Sequence, residues 1–119
     1  MMNSSNPNLF YADPTPTSTH VGNPVKIDYL NVKKASLVLR ALNHKLRQQM
    51  IRLLDENKKM TVTDLYVQLR LEQSVASQHL AILRRVGIVK TTRDGKFIYY
   101  FVNYDRLDQI NRIVDDLLK

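Results

Sequence analysis

The sequence of 119 residues contains no cysteine and no tryptophan, and it has only three glycines. Without cysteine there can be no disulfide bond, thiolate metal site or thiol redox sensor built from this sequence. No apolar run approaches the roughly 20 residues that span a bilayer, and no uninterrupted apolar segment follows Met1 as in a signal peptide. We therefore expect a soluble, cytoplasmic protein that has no membrane partner.

Catalytic patterns are also missing. Three glycines leave no Gly-rich phosphate loop, and neither a Ser/His/Asp arrangement nor a pair of catalytic carboxylates stands out. The acidic pair Asp115 and Asp116 fits the solvated face of a terminal helix better than acid chemistry or a Ca²⁺ site. The sequence gives no support to an enzyme.

Positive charge is what the sequence has in excess. The formal net charge is +7, with 18 Lys and Arg against 11 Asp and Glu. A basic surplus on a small domain favours a polyanionic partner, although a merely soluble basic surface is the alternative. Residues 103 to 119 carry four acidic residues against three basic ones, so this last segment fits packing better than contact with an anion.

The chain divides into an arm and one domain. Residues 1 to 24 are rich in Asn, Ser, Thr and Pro and predict an extended or weakly ordered N-terminal arm. Residues 25 to 119 can form a single core, since 44% of the sequence is apolar. A core this small is marginal alone, so a partner subunit would help to stabilise it.

Helical periodicity dominates the first part of the domain. One helix is expected from about residue 28 and a second from about residue 44 to 56. Thr61 and Asp64 have the spacing of a capping box, which predicts the start of a third helix. A fourth is expected from about residue 73 to 86, with Gly87 just past its end, where glycine most easily forms a left-handed cap.

The period then changes from that of a helix to that of a strand. Residues 88 to 93 and 96 to 102 are rich in β-branched and aromatic types, and Asp94-Gly95 between them predicts a tight hairpin. Asn103 can cap a last helix that runs to about residue 118. The fold class is thus mainly α (α+β), a winged helix-turn-helix with a two-stranded β-hairpin wing and flanking dimerisation helices.

The fourth helix has a polar face opposite its apolar stripe. An α-helix fits the major groove of B-DNA, and short side chains allow its backbone to approach closely. Gln78 can pair with adenine through two hydrogen bonds, and Ser77 can bond to a base or a phosphate. We expect this to be the recognition helix, the alternative being a solvated amphipathic helix. The polar face holds Ser74, Ser77, Gln78, Ala81 and either Arg84 or Arg85.

The hairpin brings two further cations, Arg93 and Lys96, to a tight turn. Contacts from such a tip to phosphates give affinity and register but carry no sequence information. Charged residues occur in many exposed hairpins. This hairpin supports DNA binding because it directly follows the predicted recognition helix. The residues predicted to bind double-stranded DNA are Ser74, Ser77, Gln78, His79, Arg84, Arg93 and Lys96.

Read together, these segments resemble the ArsR/SmtB family of winged-helix repressors. The resemblance lies in the run SVASQHLAILRRVGIV followed by KTTRDGKFIYYFV, and it covers roughly residues 30 to 118. The family pattern Ser-x-His-Leu-x-x-Leu, followed by Gly and two apolar residues, corresponds here to Ser77, His79, Leu80, Leu83, Gly87, Ile88 and Val89. Arg47 falls at the family's usual arginine. Glu72 departs from the pattern, because a serine usually caps the recognition helix.

The resemblance implies a homodimeric repressor in which the first and last helices pack across a two-fold axis. A dimer of this kind places two recognition helices about one turn of DNA apart, so its operator should be an imperfect palindrome. An alternative is a winged helix that contacts proteins and has lost DNA binding. The residues predicted to form the dimer interface are Leu30, Leu37, Ile110, Ile113 and Leu117.

Many members of the resembled family sense metals, but this sequence lacks the necessary ligands. The helix after the capping box, TVTDLYVQL, has no cysteine, and the last helix, NYDRLDQINRIVDDLLK, has four carboxylates and no histidine. A transition-metal site without imidazole or thiolate is weak and unselective. His20, His44 and His79 are scattered at no ligand spacing. We therefore expect neither a metal site nor a cofactor.

Overall fold

The computed structural model describes residues 22–119, so most of the predicted arm and His20 lie outside the described residues. Five helices and two strands follow one another in the order expected. They are α1 (Tyr29–Leu42), α2 (Lys45–Asn57), α3 (Val62–Leu69), α4 (Gln73–Arg85), β1 (Val89–Asp94), β2 (Phe97–Val102) and α5 (Tyr104–Leu117).

Side-chain caps define where several helices begin. At α3 the predicted capping box is present, since the Asp64 N–H donates to Thr61 Oγ1 and the Thr61 N–H donates to Asp64 Oδ2, both at 3.1 Å. Asn103 caps α5 by accepting from the N–H of Arg106 at 3.3 Å. Such caps stabilise a helix by roughly 1 kcal/mol each because they satisfy backbone donors that the helix cannot.

Left-handed residues define where α3 and α4 end. Arg70 has φ +56° and donates its N–H to the carbonyls of Tyr66 and Val67, which closes the turn between α3 and α4. Gly87 has φ +82°, and an added Cβ would lie 3.5 Å from Arg106 Nε. The predicted role of Gly87 after the recognition helix is therefore confirmed.

The hairpin differs from the prediction by one residue. β1 pairs antiparallel with β2 from Val89↔Val102 to Asp94↔Phe97, so the turn residues are Gly95 and Lys96 rather than Asp94 and Gly95. Only the first of them has positive φ, +63° at Gly95, which is the requirement of a type II′ turn. The sequence expectation placed the glycine second in the turn and was wrong on that point.

A contact that the sequence did not predict ties the hairpin to the helices. Met60 forms an isolated antiparallel bridge with Tyr100, with the Tyr100 N–H 2.7 Å from the Met60 carbonyl and the reverse bond at 3.0 Å. Met60, two residues before α3, thus acts as a one-residue third strand beside β2.

Apolar residues of α2 to α5 and the base of the hairpin form the core. Its most buried side chains are Met50, Leu54, Met60, Leu65, Leu80, Leu83, Ile88 and Val89. From α1, Val38 and Leu42 pack against this core, whereas Leu30 and Leu37 are 60% and 48% exposed. The apolar stripe predicted for α1 is therefore only partly used within one chain.

Candidate nucleic-acid interface

The two faces of α4 separate as the sequence predicted. Ala76, Leu80 and Leu83 are completely buried against the core. The opposite face is exposed to solvent, and it presents Ser74, Ser77, Gln78, Ala81, Arg84 and Arg85. Glu72 precedes the helix without a side-chain bond to its first turn. The helix N-terminus, which attracts anions, is therefore left without a side-chain cap.

His79 lies at the edge of this face and turns towards α2. Its Nδ1 is 3.1 Å from Nη1 of Arg47, and its ring centroid is 4.8 Å from that of His44. Because a guanidinium only donates, Nδ1 must accept and the ring is neutral. Burial, the neighbouring His44 and the charge of Arg47, in that order, lower the pKa of His79. The side chain is used in packing, and its direct contact with DNA stays a prediction.

The wing cations lie at the exposed tip of the hairpin. Arg93 donates Nε–H to the carbonyl of Gly95 at 3.0 Å, which holds the guanidinium over the turn. The Nζ of Lys96 lies 5.6 Å from the centre of the Phe97 ring. Neither cation forms an ion pair within residues 22–119. Both are therefore available to phosphate oxygens.

A cleft of about 400 Å³ separates the recognition helix from the wing. Its lining residues are Ser77, Ala81, Arg84, Arg85 and Tyr100. Both arginines line it, so Arg85 joins Arg84 as a candidate DNA contact, and contact of either with DNA stays a prediction. The exposed face of α4 and strand β2 form the two walls of this cleft, and together they make one basic surface.

Lys90 is a further cation that sequence reasoning did not single out. It is exposed at the base of β1, where it lines a shallow cavity with Arg84. Val89 is buried and Thr91 half-buried, so strand alternation directs Lys90 outward. That alternation was available in the sequence and could have identified it.

The predicted dimer residues lie on the flanking helices α1 and α5. Leu30, Leu37, Ile113 and Leu117 are 48% to 70% exposed. Ile110 differs, because it is 5% exposed and packs within its own chain's core. It also lines a groove of about 220 Å³ between α1 and α5, together with Ile113 and Leu117. A partner seated there could reach Ile110 only at the bottom of this groove, and the interface stays a prediction.

Residues 22–119 lack the features of two other kinds of site. No group of three or more His, Asp or Glu side chains in this range could hold a metal ion. In the same range, no helix is both long and apolar enough to cross a membrane.

Comparison with known proteins decides the family. The model of the arsR family of bacterial regulatory proteins matches residues 44–91, which span α2 to the start of the wing. An uncharacterized HTH-type transcriptional regulator of Methanocaldococcus jannaschii is 34% identical over 85 residues, which are 71% of this chain and 96% of that protein. The chain belongs to the ArsR family.

Solved structures agree with this ArsR-family assignment. The transcriptional repressor PagR of Bacillus anthracis is 29% identical with a TM-score of 0.58, and the match covers 73% of this chain and 99% of PagR. HlyU of Vibrio cholerae is 31% identical with a TM-score of 0.56, over 75% of this chain and 97% of HlyU. The winged-helix fold is thereby confirmed, and the protein is a DNA-binding transcription regulator. A winged helix that contacts only proteins is not favoured.

Proposed function

We propose that this ArsR-family protein is a homodimeric repressor that reads an imperfect palindrome with Ser77 and Gln78 of α4. The observation that carries the proposal is the exposure of the polar α4 face, with the wing cations Arg93 and Lys96 beside it. The protein acts in the cytoplasm by binding and not by catalysis.

Base readout in this proposal depends on the side-chain types of α4. Gln78 can donate to and accept from adenine at once, which discriminates against other bases by about 1–3 kcal/mol. Ser77 is short enough to let the helix backbone approach the groove. Arg84, Arg85 and Lys90 then contact phosphates, which position the helix without reading sequence.

Dimerisation in this proposal uses the apolar side chains that α1 and α5 leave exposed. Leu30 and Leu117 are 60% and 70% exposed, and a two-fold contact between copies would bury them. Burial of apolar area favours the dimer by about 25 cal/mol per Å² before the entropic cost of association is subtracted. A two-fold dimer requires two half-sites whose centres are about one helical turn apart.

Relatives of this protein differ in the direction in which they regulate transcription. PagR is named a transcriptional repressor, whereas HlyU is named a transcriptional activator. A promoter that contains the selected operator, joined to a reporter gene, distinguishes the two. Lower reporter output in the presence of the protein supports repression, and higher output shows activation.

Selection of binding sites from random duplex DNA tests the readout. The wild-type protein should enrich a palindrome, and Gln78→Ala should relax the preference at one base pair of each half-site. Gln68→Ala is the matched control, because Gln68 is exposed on α3 and away from the α4 face. If Gln78→Ala enriches the same site with the same base preference, Gln78 does not read the sequence.

A further inference from the structure

A cavity of about 450 Å³ lies between α1, the C-terminal half of α4 and the start of α5, and Arg47 of α2 forms part of its wall. Pockets for small molecules in proteins have volumes of roughly 300–1,000 Å³, so this one is large enough to hold an organic ligand. It lies apart from the predicted base-reading residues Ser77 and Gln78, neither of which lines it.

Within residues 22–119, the wall of the cavity contains several cations and no acidic residue. None of these cations forms an ion pair with a carboxylate within residues 22–119, where the paired cations are Lys58 and Lys119. Positive charges gathered around one space repel one another, and an anion placed among them lowers their energy. The cationic lining residues are Lys34, Arg40, Arg47, Arg85 and Arg106.

Among these cations, Arg47 gives the strongest support for an anion site, because it is buried, with only 7% of the residue exposed. Its Nε donates to the Ala41 carbonyl at 2.7 Å and its Nη2 to the Arg40 carbonyl at 3.2 Å. These carbonyls end α1, so the helix dipole compensates part of the charge. His79 accepts a third bond from Nη1, at 3.1 Å.

Those three bonds do not satisfy the guanidinium. Arg47 has five N–H donors, and two of them have no partner within residues 22–119. No carboxylate forms a salt bridge with it in that range either. A buried cation without a counter-charge is costly, and an anion in the cavity supplies both the charge and the missing acceptors.

Apolar side chains complete the wall and define the ligand further. A bare inorganic anion would leave this apolar surface in contact with water, whereas the body of an organic acid would cover it. Ile82 belongs to α4 and Val86 directly follows it, so a ligand here touches the predicted recognition helix. The apolar lining residues are Leu37, Val38, Ala41, Ile82 and Val86.

We propose that this cavity binds a small organic carboxylate with an apolar body. The carboxylate lies against Arg47 and the neighbouring cations, and the apolar body packs between α1 and α4. The proposal does not rest on operator recognition, because the predicted base-reading residues Ser77 and Gln78 do not line the cavity. Two lining residues are shared with other surfaces, Arg85 with the basic surface beside the wing and Leu37 with the predicted dimer surface.

Isothermal titration calorimetry with 2-naphthoate, in the absence of DNA, tests the site, and the neutral 2-naphthamide is the matched ligand control. We expect 2-naphthoate to bind about tenfold more tightly than 2-naphthamide, since hydrogen bonds to charged groups are the stronger ones. Equal binding of the two ligands, or no binding of 2-naphthoate at millimolar concentration, overturns the proposal.

The double variant Lys34→Gln, Arg40→Gln removes two exposed cations of the wall and keeps the Arg40 carbonyl that Arg47 uses. We expect it to weaken 2-naphthoate binding about fivefold, as for two partly exposed ion pairs. The double variant Lys26→Gln, Lys33→Gln removes the same charge from exposed positions outside the cavity. If the control variant weakens 2-naphthoate binding as much as the first variant does, the affinity depends only on the net charge of the protein, and the proposal fails.

Discussion

The winged helix-turn-helix and the two helices that flank it use their apolar residues in opposite ways. From α2 to β2, core residues such as Leu54, Leu65 and Leu80 are completely buried in their own chain. In α1 and α5, Leu30, Leu37, Ile113 and Leu117 remain about half exposed or more. The first region is complete within one chain, whereas the second has apolar surface left for a partner.

The charges of α4, the hairpin and α5 are consistent with this difference. The exposed cations of α4 and the hairpin surround a finished core, so they are available to a polyanion without disturbing the fold. The last segment has a net negative charge and exposed leucines, which suits contact with another protein surface better than contact with DNA.

The largest predicted effect is a loss of stability when a core residue is substituted. Leu80→Ala should lower the free energy of unfolding by about 2–5 kcal/mol, because it removes a fully buried side chain and leaves a cavity. Val67→Ala is the matched control, since Val67 is 62% exposed on α3, and its effect should stay within roughly 0.5 kcal/mol. Urea unfolding followed by circular dichroism, at one protein concentration, measures both. Similar losses in the two variants would contradict the described core.

The next largest predicted effect is weaker dimerisation after a substitution on the exposed apolar surface of α5. Leu117→Asp should raise the dimer dissociation constant at least about tenfold, because it places a charge on a surface that the partner is proposed to cover. Helix content should not change, since Leu117 is 70% exposed in the single chain. Sedimentation velocity measures the dissociation. Val67→Asp places the same charge on α3, and if it separates the subunits equally well, α5 has no special role.

A smaller effect, on the salt dependence of DNA binding, is expected for substitutions in the wing. Arg93→Ala or Lys96→Ala should each lower the slope of log K against log salt by about one, and weaken binding uniformly across DNA sequences. Filter binding over a range of salt concentrations measures this slope. Lys119→Ala removes a charge just beyond the end of α5, where the lysine pairs with Asp115 and Asp116. Its slope should match the wild type, and a wing variant with an unchanged slope would exclude phosphate contact at that position.

The smallest effect is a pH dependence of stability. The pKa of His79 is lowered below its usual value of 6.5, so near and below that pH the folded state binds fewer protons than the unfolded state. Stability should therefore fall as the pH falls through this range. His79→Asn keeps an acceptor for Arg47 but cannot be protonated there. Urea unfolding between pH 5 and 8 should show a shallower loss for the variant, and identical profiles would exclude His79 as the cause.

Local sequence signals predicted most of the architecture. The capping box at Thr61 and Asp64, the glycine after α4 and the alternation in the strands each depend on a few adjacent residues. For that reason the helix bounds agree with the structure to within about two residues, a usual margin at helix ends. The predicted hairpin turn was wrong by one residue, because Gly95 belongs to both the predicted and the observed two-residue turn. Composition alone does not say whether the glycine is the first or the second residue of the turn.

Contacts between distant segments could not be predicted in this way. The bridge from Met60 to Tyr100 and the hydrogen bond from Arg47 to His79 join residues far apart in the chain. Periodicity shows which face of α4 is polar, but it does not show that His79 turns towards α2. In the same way, the cations around the cavity come from four helices, and only their packing brings them together.

The end of α4 is tied to the start of α5 by three hydrogen bonds. Arg106 Nε donates to the Val86 carbonyl at 3.2 Å, Asn103 Nδ2 to the Gly87 carbonyl at 3.0 Å, and the Asn103 N–H to the Ile88 carbonyl at 2.8 Å. In a dimer built through α5, the separation of the two reading helices is therefore set by the subunit contact and not by a flexible joint. Such a protein measures the distance between half-sites, and one inserted base pair, which adds about 3.4 Å and a rotation of roughly 35°, moves the second half-site out of its reach.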